Sequence, residues 1–453
     1  MNRRRMLGAA LGMGAGLALQ PSWPHIFVPR RSFAAPSSLA GPSGGAILIV
    51  LNGGARTQAA FNGTVGLGTN PFGQLTGLQV ALSQVLQNTG LERPEINRHV
   101  NLVTTCQHHN RTGNHDTGRT VACTGFTPDE VKPGILTILN RQFFFRNLPC
   151  VHIGNDTPST DIGTEISSTY VPIKISSPLN VQDILASVSA ARVSPAEQAR
   201  LEALRLPMQD RFLRSSKYLE TGDIPFFQRR AAEVATQFED DALDLRSASS
   251  LGVYQDGSPV ANAGLRASFG VNANGGGSSM GARAMLALRL RQLGCAGIVL
   301  SSAENWDLHS NEDDGLPGRA SQLGQALAAL IDHGSRIPDP ATPGKTLLDT
   351  TIITVLTDFN RGNWSTTSGF NGGRGSDHQS GDDRTSFQCI PIIGGGLPGG
   401  RVLGEVNGSG SAAGASPTFE TRQVLATVLD VLGVPSENYF PASVRPLTRE
   451  LGA

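Results

Sequence analysis

Ala46-Ile47-Leu48-Ile49-Val50-Leu51 is an unbroken apolar run that stops at Asn52-Gly53-Gly54. It shows no alternation of polar and apolar residues, so both faces of the strand it predicts must be covered. That is the signature of a parallel strand between two helical layers. The Asn-Gly-Gly stop predicts a loop at the carboxyl end of the strand. Outward from this run the same pattern recurs. Val100-Asn101-Leu102-Val103-Thr104, Cys150-Val151-His152-Ile153-Gly154, Gly297-Ile298-Val299-Leu300-Ser301 and Thr350 to Thr357 all read as strands. Helical periods lie between them: Ala282 to Leu293 closed by Gly294, Gln322 to His333 closed by Gly334, and Phe419 to Leu432 closed by Gly433. Strands alternating with Gly-stopped helices predict an α/β fold with a mostly parallel central sheet flanked by helices. From about 181 to 251 the composition turns helical, which predicts a helical insertion outside the sheet.

The 453 residues carry 37 basic and 37 acidic side chains, with 39% hydrophobic and 16% charged residues. A zero net charge with no basic run in the body argues against a nucleic-acid partner, which would be held by clustered Lys and Arg. Cys106, Cys123, Cys150, Cys295 and Cys389 form no C-x-x-C pair, so neither a zinc finger nor a redox motif is present. A Cys106–Cys123 disulfide and five buried free thiols are equally open readings.

Residues 1–35 read as a targeting segment. Arg3-Arg4-Arg5 precedes a Gly-rich apolar run from Met6 to Leu19, and small residues follow around Ala34-Ala35. The Arg pair before the run fits the twin-arginine export machinery and predicts a periplasmic or secreted protein. The run is too short and too weakly apolar to form a stable membrane span. Residues 36–453 are then one domain with its insertion.

In parallel α/β sheets, ligands bind outside the carboxyl ends of the strands. Three polar clusters stand there: Glu304-Asn305-Trp306-Asp307-Leu308-His309, then Asp358-Phe359-Asn360-Arg361, and, in a Gly-rich loop, Ser376-Asp377-His378. Two His and three Asp on such loops are the N and O ligands of a divalent cation. The plainer reading is that each merely hydrogen-bonds its own loop.

The ordered set Asn305-Trp306-Asp307-Leu308-His309, Thr357-Asp358-Phe359-Asn360-Arg361, Gly375-Ser376-Asp377-His378 and Gly394-Gly395-Gly396-x-x-Gly399-Gly400 resembles the exported bacterial domain of unknown function 1501. The opening Asn52-Gly53-Gly54 and the closing stretch Thr421 to Leu429 match it too. That family is placed in the alkaline-phosphatase-like superfamily, with sulfatases and phosphodiesterases. The resemblance implies an alkaline-phosphatase-like fold and hydrolysis of phosphate or sulfate esters in a small molecule or polymer. It further implies metal ligation by Asp307, His309, Asp358 and His378, with zinc, manganese or calcium as the cation. By position it offers Thr112 as nucleophile and His115 as an orienting group or general acid. A Thr hydroxyl needs a metal or a base to become nucleophilic.

The sequence departs from the superfamily in three places. Asp307 and His309 are one residue apart rather than three. Phe359 stands where a second-metal His is usual, and Asn52-Gly53-Gly54 carries no Asp. A single-metal site and a non-catalytic binding or assembly protein on a degenerate scaffold are therefore both open. A third reading takes Gly277-Ser278-Ser279-Met280-Gly281 as a G-x-S-x-G elbow, with Ser279 acting alongside Asp358 and His378; it requires a strand directly before the Ser.

Overall fold

The computed structural model describes residues 44–62, 83–86, 88–108, 113–143, 150–154, 173–179, 181, 243–302, 304–308, 312–359, 387–406 and 412–452. The chain divides into two units. Ala40–Pro178 with Leu245–Ala453 carries the architecture. Met1–Leu39 with Leu179–Asp244 falls almost wholly outside the described residues, and so do the export segment and most of the expected helical insertion. At its far edge, residues 250 and 251 lie in Ser250–Val253 (β5), a strand paired with Pro259–Ala261 (β6). Asp256-Gly257 turns the chain there, with Gly257 at φ 83° and the Asp256 carboxylate accepting from the Ser258 amide.

The main sheet contains β1 (Gly45–Leu51), β2 (Val100–Gln107), β3 (Cys150–Ile153), β4 (Ile173–Ile175), β7 (Gly297–Ser301), β8 (Thr351–Thr357), β9 (Gln388–Gly394), β10 (Val402–Leu403) and β11 (Phe419–Glu420). Its order is β10-β2-β9-β8-β1-β7-β3-β4, and β11 also pairs with β2. β1 is parallel to β7 and β8, and β3 is parallel to β7 and β4. β9 runs against both β8 and β2, and is the one reversed strand among the described residues of this sheet. This is the mostly parallel α/β architecture expected, with β1 in its middle.

β1 is buried along its whole length because both of its faces are covered. Ala46, Leu48 and Val50 join the core formed with Ala122 and Cys123 of α2 (His115–Thr124), Ile135 and Leu139 of α3 (Ile135–Gln142), and Val424 and Val428 of α7 (Thr421–Val431). On the opposite face Ile47 lines one small cavity together with Leu288 of α5 (Ser279–Gln292) and Leu330 of α6 (Glu312–Gly334). Each such aliphatic side chain contributes roughly 1.5–3 kcal/mol by burial. All five cysteines are buried free thiols, and burial pushes the Cys106 thiol up to about 12. No helix among the described residues is long and apolar enough to cross a membrane.

Candidate functional site at the strand ends

Register alone brings the first pieces of the site together. Leu51 pairs with Thr357 and Val50 with Ser301, so the residues that follow β1, β8 and β7 leave the sheet at one height. Asn52-Gly53-Gly54, Asp358, Ser302 and residues 304–308 therefore share one rim.

The loop after β1 is a cradle for a carboxylate. Gly53 at φ 113° and Gly54 at φ 71° turn both amides toward Asp358. Gly53 N–H donates to Asp358 Oδ2 at 3.0 Å, and Gly54 N–H donates to Oδ1. A Cβ on Gly53 would lie 2.2 Å from the Asp307 amide, and one on Gly54 would lie 2.2 Å from the Phe359 ring. Only glycine fits either position. Thr357 Oγ1 accepts from the Ala55 amide at 2.9 Å and so pins the end of the loop. Asp358 itself is completely buried.

His115 opens α2. Asn114 caps this helix, its side chain accepting from the Thr117 amide at 3.0 Å. One turn on, Gly118 lets the helix lie directly on the carboxyl end of β8, where a Cβ would stand 2.2 Å from the Asp358 carbonyl oxygen. His115 Nδ1 thereby reaches Asp358 Oδ2 at 2.7 Å, and the imidazole packs on Phe359 with ring centroids 4.8 Å apart.

Asp307 comes from the third strand end. Trp306 is buried, its amide bonded to the Asn52 carbonyl at 3.0 Å and its indole to Ser302 Oγ at 2.8 Å. Asn305 Oδ1 accepts from the Asp307 amide at 2.9 Å and turns the next side chain outward. Asp307 Oδ1 lies 3.6 Å from His115 Nε2, and the two side chains keep 30% and 26% exposure. Carboxylate, imidazole and carboxylate thus form a line from the buried cradle to the surface.

Below them a second imidazole is closed in. His108 follows β2, with Nδ1 3.0 Å from Thr421 Oγ1 and Nε2 3.3 Å from the Gln388 amide. Burial pushes it down to about 4, against the opposing pull of Asp358.

Of the expected site residues, the structure joins His115, Asp307 and Asp358. Thr112, His309 and His378 lie outside the described residues. Among the described residues no three His, Cys, Asp or Glu side chains form a metal cage. The His115–Asp358 pair spans 243 positions, and no local sequence signal announces it. Ser279 departs from the elbow reading. Its helix begins after a turn, Ser278 caps that helix by accepting from the Gly281 amide, and the Ser279 hydroxyl donates to Glu304 rather than to a His. The strand an elbow needs is missing because Gly275 and Gly277 bend the preceding chain at φ 84° and 99°.

The sequence model of the family described as "Protein of unknown function (DUF1501)" matches residues 64–445. Ps i-CgsB, solved in complex with k-i-k-neocarrahexaose, is similar at 10% identity, covering 90% of this chain and 76% of its own, with a TM-score of 0.41. The PsFucS1 sulfatase from Pseudoalteromonas sp. is similar at 12% identity, with 90% and 72% coverage and a TM-score of 0.32. No curated protein matches the chain.

Proposed function

The chain belongs to the DUF1501 family, and we propose that it is an exported hydrolase that cleaves phosphate or sulfate esters with a divalent cation at the strand-end rim. One observation carries this reading: Asp307, His115 and Asp358, from three separate chain segments, converge there. Asp307 would hold the cation together with His309 and His378. Asp358 belongs to the same set by position, and its carboxylate reaches the rim through His115. A cation held there supplies charge to stabilise the developing negative charge on the phosphoryl or sulfuryl oxygens. His115 and Asp307 keep 26% and 30% side-chain exposure, and Thr112 is the candidate nucleophile on the segment just before His115.

Elemental analysis of the purified protein by mass spectrometry tests the reading alongside turnover of aryl phosphates and aryl sulfates. One equivalent of zinc, manganese or calcium is expected, with turnover that a chelator abolishes. The amide cradle at Asn52-Gly53-Gly54 favours a second reading, a non-catalytic binding or assembly protein, because it supplies donors where a metal-binding carboxylate is usual. Protein with neither metal nor turnover would select it. Export by the twin-arginine route predicts that Arg4→Lys with Arg5→Lys leaves precursor in the cytoplasm; normal export of that double variant would refute the route.

A further inference from the structure

We infer that Arg319 is the anion-recognising residue beside the rim, its guanidinium taking the negatively charged oxygens of a phosphate or sulfate ester. This inference rests on the hydrolase reading above and names the group that selects its substrates.

A guanidinium is charged at any ordinary pH, carries five N–H donors and cannot accept a hydrogen bond. Burying one of its nitrogens away from any acceptor costs free energy, so such nitrogens are normally paired. Arg319 departs from that rule. Its Nη1 is shut off from solvent without a hydrogen-bond partner, and the side chain forms no ion pair among the described residues. Asp314, exposed in the first turn of α6, does not engage it. Two other arginines near the rim do have protein partners: Arg119 donates to Asp116 Oδ1, and Arg283 donates to the Ser301 carbonyl.

The place of Arg319 in α6 gives the vacant guanidinium a direction. A helical side chain leans toward the amino end of its helix, so from the second turn Arg319 reaches back over Gly315. A Cβ on Gly315 would stand 2.8 Å from Arg319 Nη1 and 3.2 Å and 3.3 Å from the Leu308 methyl carbons. The guanidinium thus fills the space a side chain at 315 would take, beside the residue that follows Asp307. Arg319 keeps part of its surface in solvent, and Nε and Nη2 are not shut off as Nη1 is. Those two nitrogens form the planar edge that takes two oxygens of one tetrahedral oxyanion. Phosphate and sulfate present the same oxygens to such an edge, so Arg319 reads the charge and shape of the group and not its central atom.

The test uses the full chain with inorganic phosphate and inorganic sulfate as probes, each titrated by calorimetry and by 1H–15N spectra of the arginine Nε–Hε groups. Arg319→Gln assigns the Arg319 resonance, and Arg319→Lys assigns it if the first variant does not fold. The wild-type protein is expected to bind one equivalent of either anion, with the Arg319 resonance moving along the same saturation curve. Arg319→Gln should weaken binding about 10–100-fold. Arg319→Lys should recover only part of that loss, because it restores the charge without the fork. In turnover of aryl phosphates and sulfates, Arg319→Gln should raise KM more than it lowers kcat. A wild-type protein that binds neither anion overturns the inference. So does an Arg319 resonance that stays still while an anion binds, and so does an Arg319→Gln variant with undiminished anion affinity. Anion binding through Arg319 without ester turnover would sustain the inference and remove the hydrolase. Chelator-sensitive turnover with KM unchanged in Arg319→Gln would do the reverse.

Discussion

Two buried polar clusters in this molecule end differently. One closes on itself under α5. Arg289 donates to Asn262 Oδ1 at 2.6 and 2.9 Å, to the Val260 carbonyl at 2.7 Å, to Gln292 Oε1 at 3.0 Å and to the Leu251 carbonyl at 3.3 Å. Close by, Tyr254 and His333 share a 2.8 Å hydrogen bond, and Arg336 lies 4.3 Å over the Tyr254 ring. These bonds tie the β5–β6 hairpin to the helices, and Arg289 is wholly buried. The other cluster starts as deeply at Asp358 but runs outward through His115 to Asp307, where both side chains are part-exposed. Polar burial is common to both clusters and so marks no function. The difference is direction: one satisfies its own backbone, and the other delivers an imidazole to the surface.

The contrast sets the expected order of effects on unfolding free energy. Arg289→Met strands several buried carbonyls and should cost about 3–5 kcal/mol in urea titration, without changing zinc affinity in the protein that remains folded. Acid should also act strongly. Burial lowers His108 and His333 from 6.5 to about 4, so the fold favours their neutral forms. Their stabilisation is complete above pH 6.5 and is lost as pH falls through about 4, at about 3 kcal/mol each. His333→Gln should flatten that acid slope in thermal melts; an unchanged slope would show that His333 does not contribute to it. Gly118→Ala should cost about 1–3 kcal/mol by forcing α2 off the Asp358 carbonyl. Asp307→Asn should shift stability by less than about 0.5 kcal/mol yet remove most zinc binding in dialysis. A large loss of stability from Asp307→Asn would erase the distinction between the two clusters.

Much of the sheet was legible because burial on both faces writes itself as unbroken apolar runs; β1, β7 and β8 fall where those runs lie. β9 was not, because Pro391 interrupts Gln388–Gly394 and proline argues against a central strand. The structure admits it opposite Leu102, with its carbonyl accepting from Thr354 Oγ1 at 2.9 Å. α6 begins at Glu312, ten residues before the periodicity suggests, since Gly315, Pro317 and Gly318 hide a turn that the buried Leu316 and Ala320 hold in place. In the site, Asp307 and Asp358 could be read from their places after strands. The link through His115 could not, for it depends on a helix docking across the sheet through Gly118.

The reversal of β9 has a consequence for the segment that carries His378. β8 ends at the rim, and β9, being antiparallel to its neighbour β8, begins there. Phe359 and Phe387, the described residues on either side of 360–386, therefore stand at the same end of two neighbouring strands. Closing a connection between such ends costs only about 0.6 kcal/mol for each doubling of its length. Insertions and deletions between Phe359 and Phe387 thus weigh little on the scaffold, and the strands beneath can keep their register while the sequence between them changes.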